Sequence, residues 1–159
     1  MEKSHKSLSL FEFQQRFATD NQCLAYLAAE KWKDGYLCPK CGHTHYCQGN
    51  TLYSRQCTRC KHTASPTSGT LFHKVKFPLL KAFYIVYFVS TNKKGISSME
   101  LSRKLELRQK TCWYFKHKAD IEAYIDEYSY RFNRYFMNAS IFDNLIRRMI
   151  KAKQYYLYD

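Results

Sequence analysis

Acidic residues are scarce in this 159-residue chain, with 13 Asp and Glu against 26 Lys and Arg and a net charge of +13. Glycine and proline number only 5 and 3, and no low-complexity segment or internal repeat occurs. Long apolar runs are missing, because the longest, Ala82–Val89, is far shorter than the roughly 20 residues of a membrane helix. The polar start, Met1–Leu10, lacks the apolar core of a secretory signal. We therefore expect a cytoplasmic protein with no membrane partner.

The chain does contain enough apolar surface to fold, with 45% hydrophobic and 17% aromatic residues. Its basic excess is confined to residues 1–118, which carry 20 Lys and Arg against 7 Asp and Glu. Residues 119–159 are balanced at 6 against 6. A basic segment of this kind is typical of nucleic-acid binding, and the alternative is a solvated basic surface that serves solubility.

Four of the seven cysteines form two pairs, Cys38-Pro-Lys-Cys41 and Cys57-Thr-Arg-Cys60, with 15 residues between the pairs. Two cysteines at this spacing can turn both thiolates toward one ion, and Gly42 relieves the tight backbone that follows the first pair. Four thiolates complete a tetrahedron and leave no open position for water. The spacing predicts one structural zinc ion in a zinc ribbon.

Other readings of the cysteines and histidines remain open. The pairs are also compatible with a redox dithiol or with unrelated buried thiols. Four further residues lie close enough in sequence to compete as ligands, although we expect them to be surface or loop residues: His43, His45, Cys47 and His62. Cys23 and Cys112 fall on apolar helix faces and are expected to be small core residues.

The N-terminal half has one clear helix signal before the ribbon. Thr19 and Gln22 have the spacing of a capping box, and apolar residues recur behind them, which predicts a helix over Asp20–Lys31. Residues 36–72 are rich in Cys, Gly, Thr and Ser and favour small β-hairpins. The expected fold class is therefore small α+β.

Residues 77–119 have the pattern of a trihelical helix-turn-helix. An apolar helix over Leu79–Ser90 follows Pro78, and residues 91–95 end it. Ser97 and Glu100 form a second capping box, and Ile96 and Leu101 have the spacing of a hydrophobic staple, for a helix over Ser98–Leu105. A tight turn at residues 106–108 precedes a helix over Gln109–Lys118, on which we expect Trp113 to lie in the core.

The first part of the last helix of such a motif reaches the bases of double-stranded DNA. Arg108, Gln109, Lys110 and Tyr114 are therefore candidates for base-edge or nearby phosphate contacts, with Gln109 the best candidate for reading sequence. The alternative for each is an exposed helix residue that contacts nothing. Further basic residues cluster where phosphates would lie: Lys93, Lys94, Arg103, Lys104, Lys116 and Lys118.

The chain thus divides into an N-terminal helical lead-in (1–35), a zinc ribbon (36–76), a helix-turn-helix (77–119) and a helical tail (120–159). In the tail we expect one helix that bears Ile121, Tyr124, Ile125, Tyr128 and Phe132. A second helix should open at Ser140 and bear Ile141, Leu145, Ile146 and Met149.

Residues 10–118 resemble the start of the ISXO-like insertion-sequence transposases of bacteria, which begin with a helix, a zinc ribbon and a helix-turn-helix. The matching segments occur in the family's order: Phe17 with Cys23–Leu27, Trp32–Gly42, Tyr53–Cys60, Thr67–His73, Gly95–Leu101 and Gln109–Trp113. The resemblance implies binding of transposon-end DNA by this region. It also implies an RNase H-like core with acidic DDE-type metal ligands after it.

The sequence departs from that family after Lys118, where only 41 residues remain. The segments Asp120–Arg134 and Ile141–Met149 instead resemble the C-terminal end of the same transposases, as if a deletion near residues 117–121 had joined the two ends. We expect no catalytic residue and hence no enzyme, because two-metal chemistry needs several convergent carboxylates.

Three functions follow as hypotheses for such a chain. It could bind transposon ends or related sites, in the nucleoid of a bacterium, as a repressor or competitor. It could be an accessory subunit that assembles with itself or with a full-length transposase through its aromatic tail. It could also be a transcription regulator or interaction module with no role in transposition.

Overall fold

The computed structural model describes residues 8–92, 94–132 and 141–151, with side chains described in all of these except 122–132. Helix α1 (Leu10–Arg16) begins at a capping box in which the Glu12 N–H donates to Ser9 Oγ over 3.1 Å and the Ser9 N–H donates back to the Glu12 carboxylate. The sequence analysis overlooked this short helix. Helix α2 spans Asp20–Lys31 with the predicted capping box at Thr19 and Gln22, so that prediction is confirmed.

The ribbon contains a three-stranded antiparallel sheet, β1 (Tyr46–Gln48), β2 (Arg55–Cys57) and β3 (Thr63–Ala64), in the order β1-β2-β3. The loop that joins β1 to β2 closes on a buried serine, because Ser54 Oγ donates to the Thr51 carbonyl over 2.7 Å. A side chain at Gly49 would meet this hydroxyl at 2.3 Å, so the close approach requires glycine. The predicted small hairpins are confirmed.

Helix α3 (Leu79–Thr91) follows Pro78 and buries most of its middle turns, as expected from its apolar sequence. Gly95 adopts the left-handed conformation (φ +79°) before helix α4 (Ser98–Leu105). The Glu100 N–H donates to Ser97 Oγ over 3.1 Å, which is one half of the predicted capping box, while the Glu100 carboxylate pairs with Lys104. The bounds predicted for α4 are confirmed.

Helix α5 runs without a break over Gln109–Phe132, so the prediction of one helix ending near Lys118 and another beginning after it was wrong. No glycine or proline occurs anywhere in this segment, and nothing therefore interrupts the backbone hydrogen bonds. Helix α6 (Ile141–Lys151) lies where the last tail helix was predicted. The side chains of Tyr124, Ile125, Tyr128 and Phe132, and residue Ser140, lie outside the described part.

Helices from both ends of the chain share one hydrophobic core. Phe13 of α1, Leu27 of α2, Phe83 of α3 and Phe142 of α6 are all essentially inaccessible to solvent and belong to the same cluster. A second, smaller cluster lies under the ribbon and contains Ala28, Trp32, Tyr36, Cys38, Cys57 and Ala64. The four-segment division of the chain stays a prediction, although helices from three of the segments pack together.

Cys23 and Cys112 are fully buried in the main core, which confirms their expected role as small apolar residues. Aromatic rings dominate this core and meet mostly at tilted or edge-to-face angles, as in the 5.0 Å contact of Phe17 with Phe83. Within the described ranges, no helix combines the length and apolar character needed to cross a bilayer.

Candidate metal centre and nucleic-acid surface

Two backbone turns of the same design hold the four predicted zinc ligands. In the first, the Cys38 N–H donates to the His43 carbonyl and the Gly42 N–H donates to the Cys38 carbonyl, both over 2.9 Å. In the second, Cys57 and Lys61 make the equivalent bonds at 2.9 and 3.1 Å. Gly42 (φ +73°) and Lys61 (φ +61°) occupy the same left-handed position of the two turns, so only one turn has the glycine that the sequence analysis used as a signal.

The four sulfur atoms converge on one point. Cys38 Sγ lies 3.5 Å from Cys60 Sγ, Cys41 Sγ lies 3.6 Å from Cys57 Sγ, and all four lie within 4.8 Å of one another. A tetrahedral zinc ion with Zn–S bonds of about 2.3 Å requires sulfur atoms about 3.8 Å apart. The residues therefore fit one zinc ion held by four thiolates, as the spacing predicted.

The turns favour the thiolate form that zinc requires at the first cysteine of each pair. Burial raises the pKa of Cys38, but the backbone N–H groups of Cys41 and Lys40 and the neighbouring thiols outweigh burial and lower it to about 6. For Cys57, burial likewise opposes ionisation, yet the N–H groups of Cys60 and Arg59 bring the pKa below its usual value. In each turn, the second cysteine and the residue before it donate these backbone hydrogen bonds, so the turn favours a thiolate at its first cysteine. At Cys41 the His43 N–H acts in the same direction, but burial and hydrogen bonds with the neighbouring thiols outweigh it and raise the pKa to about 11.

The histidines and the extra cysteine near the site are not part of it. His43, His45, Cys47 and His62 do not belong to the four-sulfur cluster, and they are exposed or half-buried. The His43 and His45 rings pack against each other at 5.2 Å, and the Cys47 thiol faces the side-chain oxygen of Gln56. Zinc ligation by the four cysteines thus leaves these residues as surface positions, as expected.

An arginine side chain packs between two aromatic rings beside the metal centre. The Arg55 guanidinium lies 4.4 Å from the centroid of Trp32 and 4.1 Å from that of Tyr46. Trp32 ends α2 and Tyr46 begins β1, so this cation–π contact joins the helix to the ribbon. The sequence analysis did not predict this contact.

The predicted DNA-contacting residues form a mostly exposed surface on α4, on α5 and before α4. Seven of the ten are exposed: Lys94, Arg103, Lys104, Arg108, Gln109, Lys110 and Tyr114. Lys116 and Lys118 are half-buried, and Lys93 lies outside the described residues. Two of the lysines already have acidic neighbours one turn away, since Lys104 pairs with Glu100 at 3.7 Å and Lys116 pairs with Asp120 at 2.5 Å.

The prediction that Trp113 lies in the core was wrong, because this residue is 46% exposed. The core face of α5 is taken by Cys112, Phe115 and Ala119, and a residue one step after Cys112 is rotated about 100° away from that face. Trp113 lies beside Gln109, Lys110 and Tyr114 along a shallow surface cleft of about 260 Å³. The exposed surface therefore includes an aromatic element that composition alone did not reveal.

Comparison with known proteins agrees with the metal centre. Residues 18–63 match the family model of the transposase zinc-ribbon domain, a range that contains α2, all four cysteines and the start of β3. No curated protein and no solved structure matches the chain. Residues 18–63 are thus similar to the zinc ribbon of transposases, and the four-cysteine cluster lies within the matched range.

Proposed function

We propose that this protein binds DNA sequence-specifically through a helix-turn-helix formed by α3, α4 and α5, with α5 entering the major groove. The observation that carries the proposal is the junction of α4 and α5. Arg108, Gln109 and Lys110 are exposed there at the start of a helix whose opposite face is buried. The first turn of a recognition helix is the part that reaches base edges.

The turn before α5 is held rigidly, which supports its role in aiming that helix. Glu106 adopts a left-handed conformation (φ +53°), and its N–H donates to the Ser102 carbonyl. Ser102 Oγ in turn donates to the Leu107 carbonyl over 2.5 Å. The first two residues of the three-residue connection are therefore bonded to α4, which restricts the direction in which α5 leaves it.

The surface charge supports DNA as the partner. Four basic side chains of this surface are exposed: Lys94, Arg103, Arg108 and Lys110. DNA phosphates attract such side chains whatever the base sequence. The Glu100 carboxylate partners Lys104 within α4, and an exposed pair of this kind is weak enough to exchange for a phosphate contact. The Lys116 ammonium, which is half-buried, pairs with Asp120 within α5.

We also propose that the chain does not catalyse strand transfer. Three of the described carboxylates have structural roles: Asp143 bonds Arg16 and Tyr26, Glu30 bonds Arg147, and Glu12 caps α1. Among the described residues, the four cysteines are the one group of three or more His, Cys, Asp or Glu side chains placed to hold an ion. Two-metal chemistry requires a different site, built from convergent carboxylates.

The proposed origin is a transposase in which both ends were joined across a deleted core. This is supported by the unbroken course of α5 through residues 117–121, where the junction is expected, and by the burial of α6 against α3 and α5. A chain that binds transposon ends without cleaving them would act as a repressor or competitor. The alternatives are an accessory subunit of an intact transposase and a transcription regulator.

Binding to duplexes enriched from a random-sequence library tests the proposal. With zinc present, the logarithm of the binding constant should fall linearly with the logarithm of salt concentration. Gln109→Ala should lose about 1–3 kcal/mol on the enriched duplex and relax specificity at one base pair. Gln15→Ala, which alters another exposed glutamine, on α1, is the matched control and should bind like the parent protein. Absence of binding, or binding without salt dependence, would refute the proposal.

The three roles separate in a further experiment on the same protein. A competitor should occupy the terminal repeats of a neighbouring mobile element and reduce their cleavage by an intact transposase. An accessory subunit should co-purify with that transposase. Binding to promoters without flanking terminal repeats would favour a transcription regulator.

A further inference from the structure

The outward face of α5 carries an aromatic and apolar surface beside positive charge. With about 3.6 residues per turn, the residues opposite the buried face of this helix form one group. They are Lys110, Trp113, Tyr114, His117 and Ile121, all exposed. Trp113, Tyr114 and Ile121 each expose about half of their side chains, at 46, 51 and 48%. An exposed surface of this kind in the first turns of a helix fits a partner that has both apolar and anionic groups.

The Trp113 ring is held in place by its helical neighbours. The His117 imidazole, one turn later, stacks on the indole with centroids 4.5 Å apart and planes 26° apart. The Tyr114 ring meets the indole at 5.1 Å and 77°. The Lys110 ammonium in turn lies 5.9 Å from the Tyr114 centroid. The ring therefore has little rotamer freedom to lose on binding, which favours contact with a defined group.

We propose that Trp113 reads thymine, by packing its indole on the C5-methyl group in the major groove one helical turn beyond Gln109. This inference rests on the proposed function of α5 as the recognition helix. Thymine is the base whose major-groove edge carries a methyl group, and glutamine pairs bidentately with the adenine edge. Gln109 and Trp113 line the same cleft, so together they select A·T base pairs.

The geometry favours a methyl group over an unpaired base. The imidazole of His117 covers one face of the Trp113 indole, so at most the other face and the ring edge remain for contact with DNA. Paired bases present edges rather than faces to the groove, and the thymine edge carries an apolar methyl group beside its O4 acceptor. Arg108 and Lys110, exposed before Trp113, match the charge of the phosphates that flank the groove.

Replacement of thymine by deoxyuridine tests this contact, because it removes the methyl group and leaves base pairing unchanged. Duplexes enriched from a random-sequence library would be synthesised in both forms. For the parent protein, deoxyuridine should weaken binding about fourfold for each methyl group contacted, which corresponds to about 0.8 kcal/mol per buried carbon. Trp113→Ala should bind the thymine duplex more weakly and should no longer distinguish the two forms.

Two further variants keep the outcome clear. Trp113→Phe should retain part of the thymine preference, and Phe11→Ala, which removes a 69% exposed ring on α1, should retain all of it. Helical circular dichroism of each variant should match the parent protein. The inference would be overturned if the parent protein bound both duplexes with equal affinity, or if deoxyuridine weakened binding by Trp113→Ala as much as it weakens binding by the parent protein. Either result would leave the proposed DNA binding standing. Failure of the parent protein to bind any duplex would refute the proposed function itself.

Discussion

The Arg16 guanidinium at the end of α1 donates to the Asp143 carboxylate in the first turn of α6 over 2.9 Å, which joins residues 127 positions apart. The Tyr26 hydroxyl of α2 donates to the same carboxylate over 2.6 Å. Burial lowers the pKa of Arg16, but the bond to Asp143 and its charge outweigh burial and raise it. One carboxylate thus holds three helices together at the edge of the main core.

Replacement of this carboxylate should destabilise the fold. Asp143→Ala leaves the partly buried Tyr26 hydroxyl and the Arg16 guanidinium without their acceptor, and we expect a loss of about 2 kcal/mol in the free energy of unfolding. Urea denaturation in the presence of zinc measures it. The control is Glu100→Ala, whose pair with Lys104 is about half exposed on both sides and should contribute less than about 1 kcal/mol. Equal stability of the two variants would contradict this assignment.

Lys31 should give the stability of the protein a particular pH dependence. Its ammonium donates to the carbonyls of Ser65 and Ser68 at 2.7 and 2.6 Å, and burial lowers the pKa of Lys31 to about 8. In the unfolded chain this pKa is about 10.4. Between these values the unfolded chain holds a proton that the folded chain has released, so the free energy of unfolding rises with pH.

The comparison of the parent protein with Lys31→Met isolates this effect, since other titrating groups are common to both. The cost of the buried charge is present in full below about pH 8 and is relieved as pH rises to about 10.4. Urea denaturation from pH 8 to 10 should therefore show a parent curve that rises relative to the variant. Parallel curves would show that the hydrogen bonds of the ammonium cancel the effect of burial.

Local signals in the sequence predicted the parts of the fold that short-range bonds decide. The Thr19 and Gln22 spacing located the start of α2, and the cysteine spacing located the metal ligands, because each depends on residues a few positions apart. Ser9 and Glu12 offered the same signal for α1, but seven residues are too few for an apolar period to be visible.

Features that depend on tertiary packing were not predictable in this way. Which face of α5 turns inward is decided by α3 and α4, so Trp113 was expected in the core although Cys112 and Phe115 occupy it. The continuation of α5 through Lys118 was missed because the resemblance to the start of the transposases ends there, although no helix-breaking residue follows. The bond from Arg16 to Asp143 has no local signal at all.

Loss of one zinc ligand should unfold the ribbon and spare the helices. Cys57 belongs to the small cluster under the ribbon, which is separate from the main core, and a region this small depends on its metal for stability. Cys57→Ser should therefore lose zinc, measured by elemental analysis, and become sensitive to proteolysis within residues 36–66. Helical circular dichroism should remain largely unchanged.

The matched control for this variant is Cys47→Ser, which alters an exposed thiol on β1 outside the four-sulfur cluster. It should bind one zinc ion per chain like the parent protein and resist proteolysis equally. Retention of zinc with parental affinity by Cys57→Ser would show that another residue completes the tetrahedron, and His62 would be the first to test.

The buried hydroxyl of Tyr36 lies close to Cys38, one of the four predicted zinc ligands. Tyr36 is 5% exposed, and within the described part of the chain its hydroxyl lacks a conventional hydrogen-bond partner. Burial is the largest cause that raises the pKa of Tyr36 to about 12, and the interaction with Cys38 is the second largest. A hydroxyl buried without an acceptor is costly, and the Cys38 thiolate is the acceptor that zinc binding would provide.

Tyr36→Phe should therefore fold and yet bind zinc more weakly. The ring keeps its contacts with Trp32 and Tyr46, at 6.4 and 5.1 Å between centroids, so packing is preserved. Loss of a hydrogen bond to a metal ligand typically lowers affinity about 10–100-fold, which competition with a chromophoric chelator measures. Tyr53→Phe, which alters an exposed tyrosine in the loop between β1 and β2, is the control. If Tyr36→Phe binds zinc as tightly as the control, the hydroxyl makes no hydrogen bond to Cys38. In that case removal of the unpaired buried hydroxyl should stabilise the ribbon.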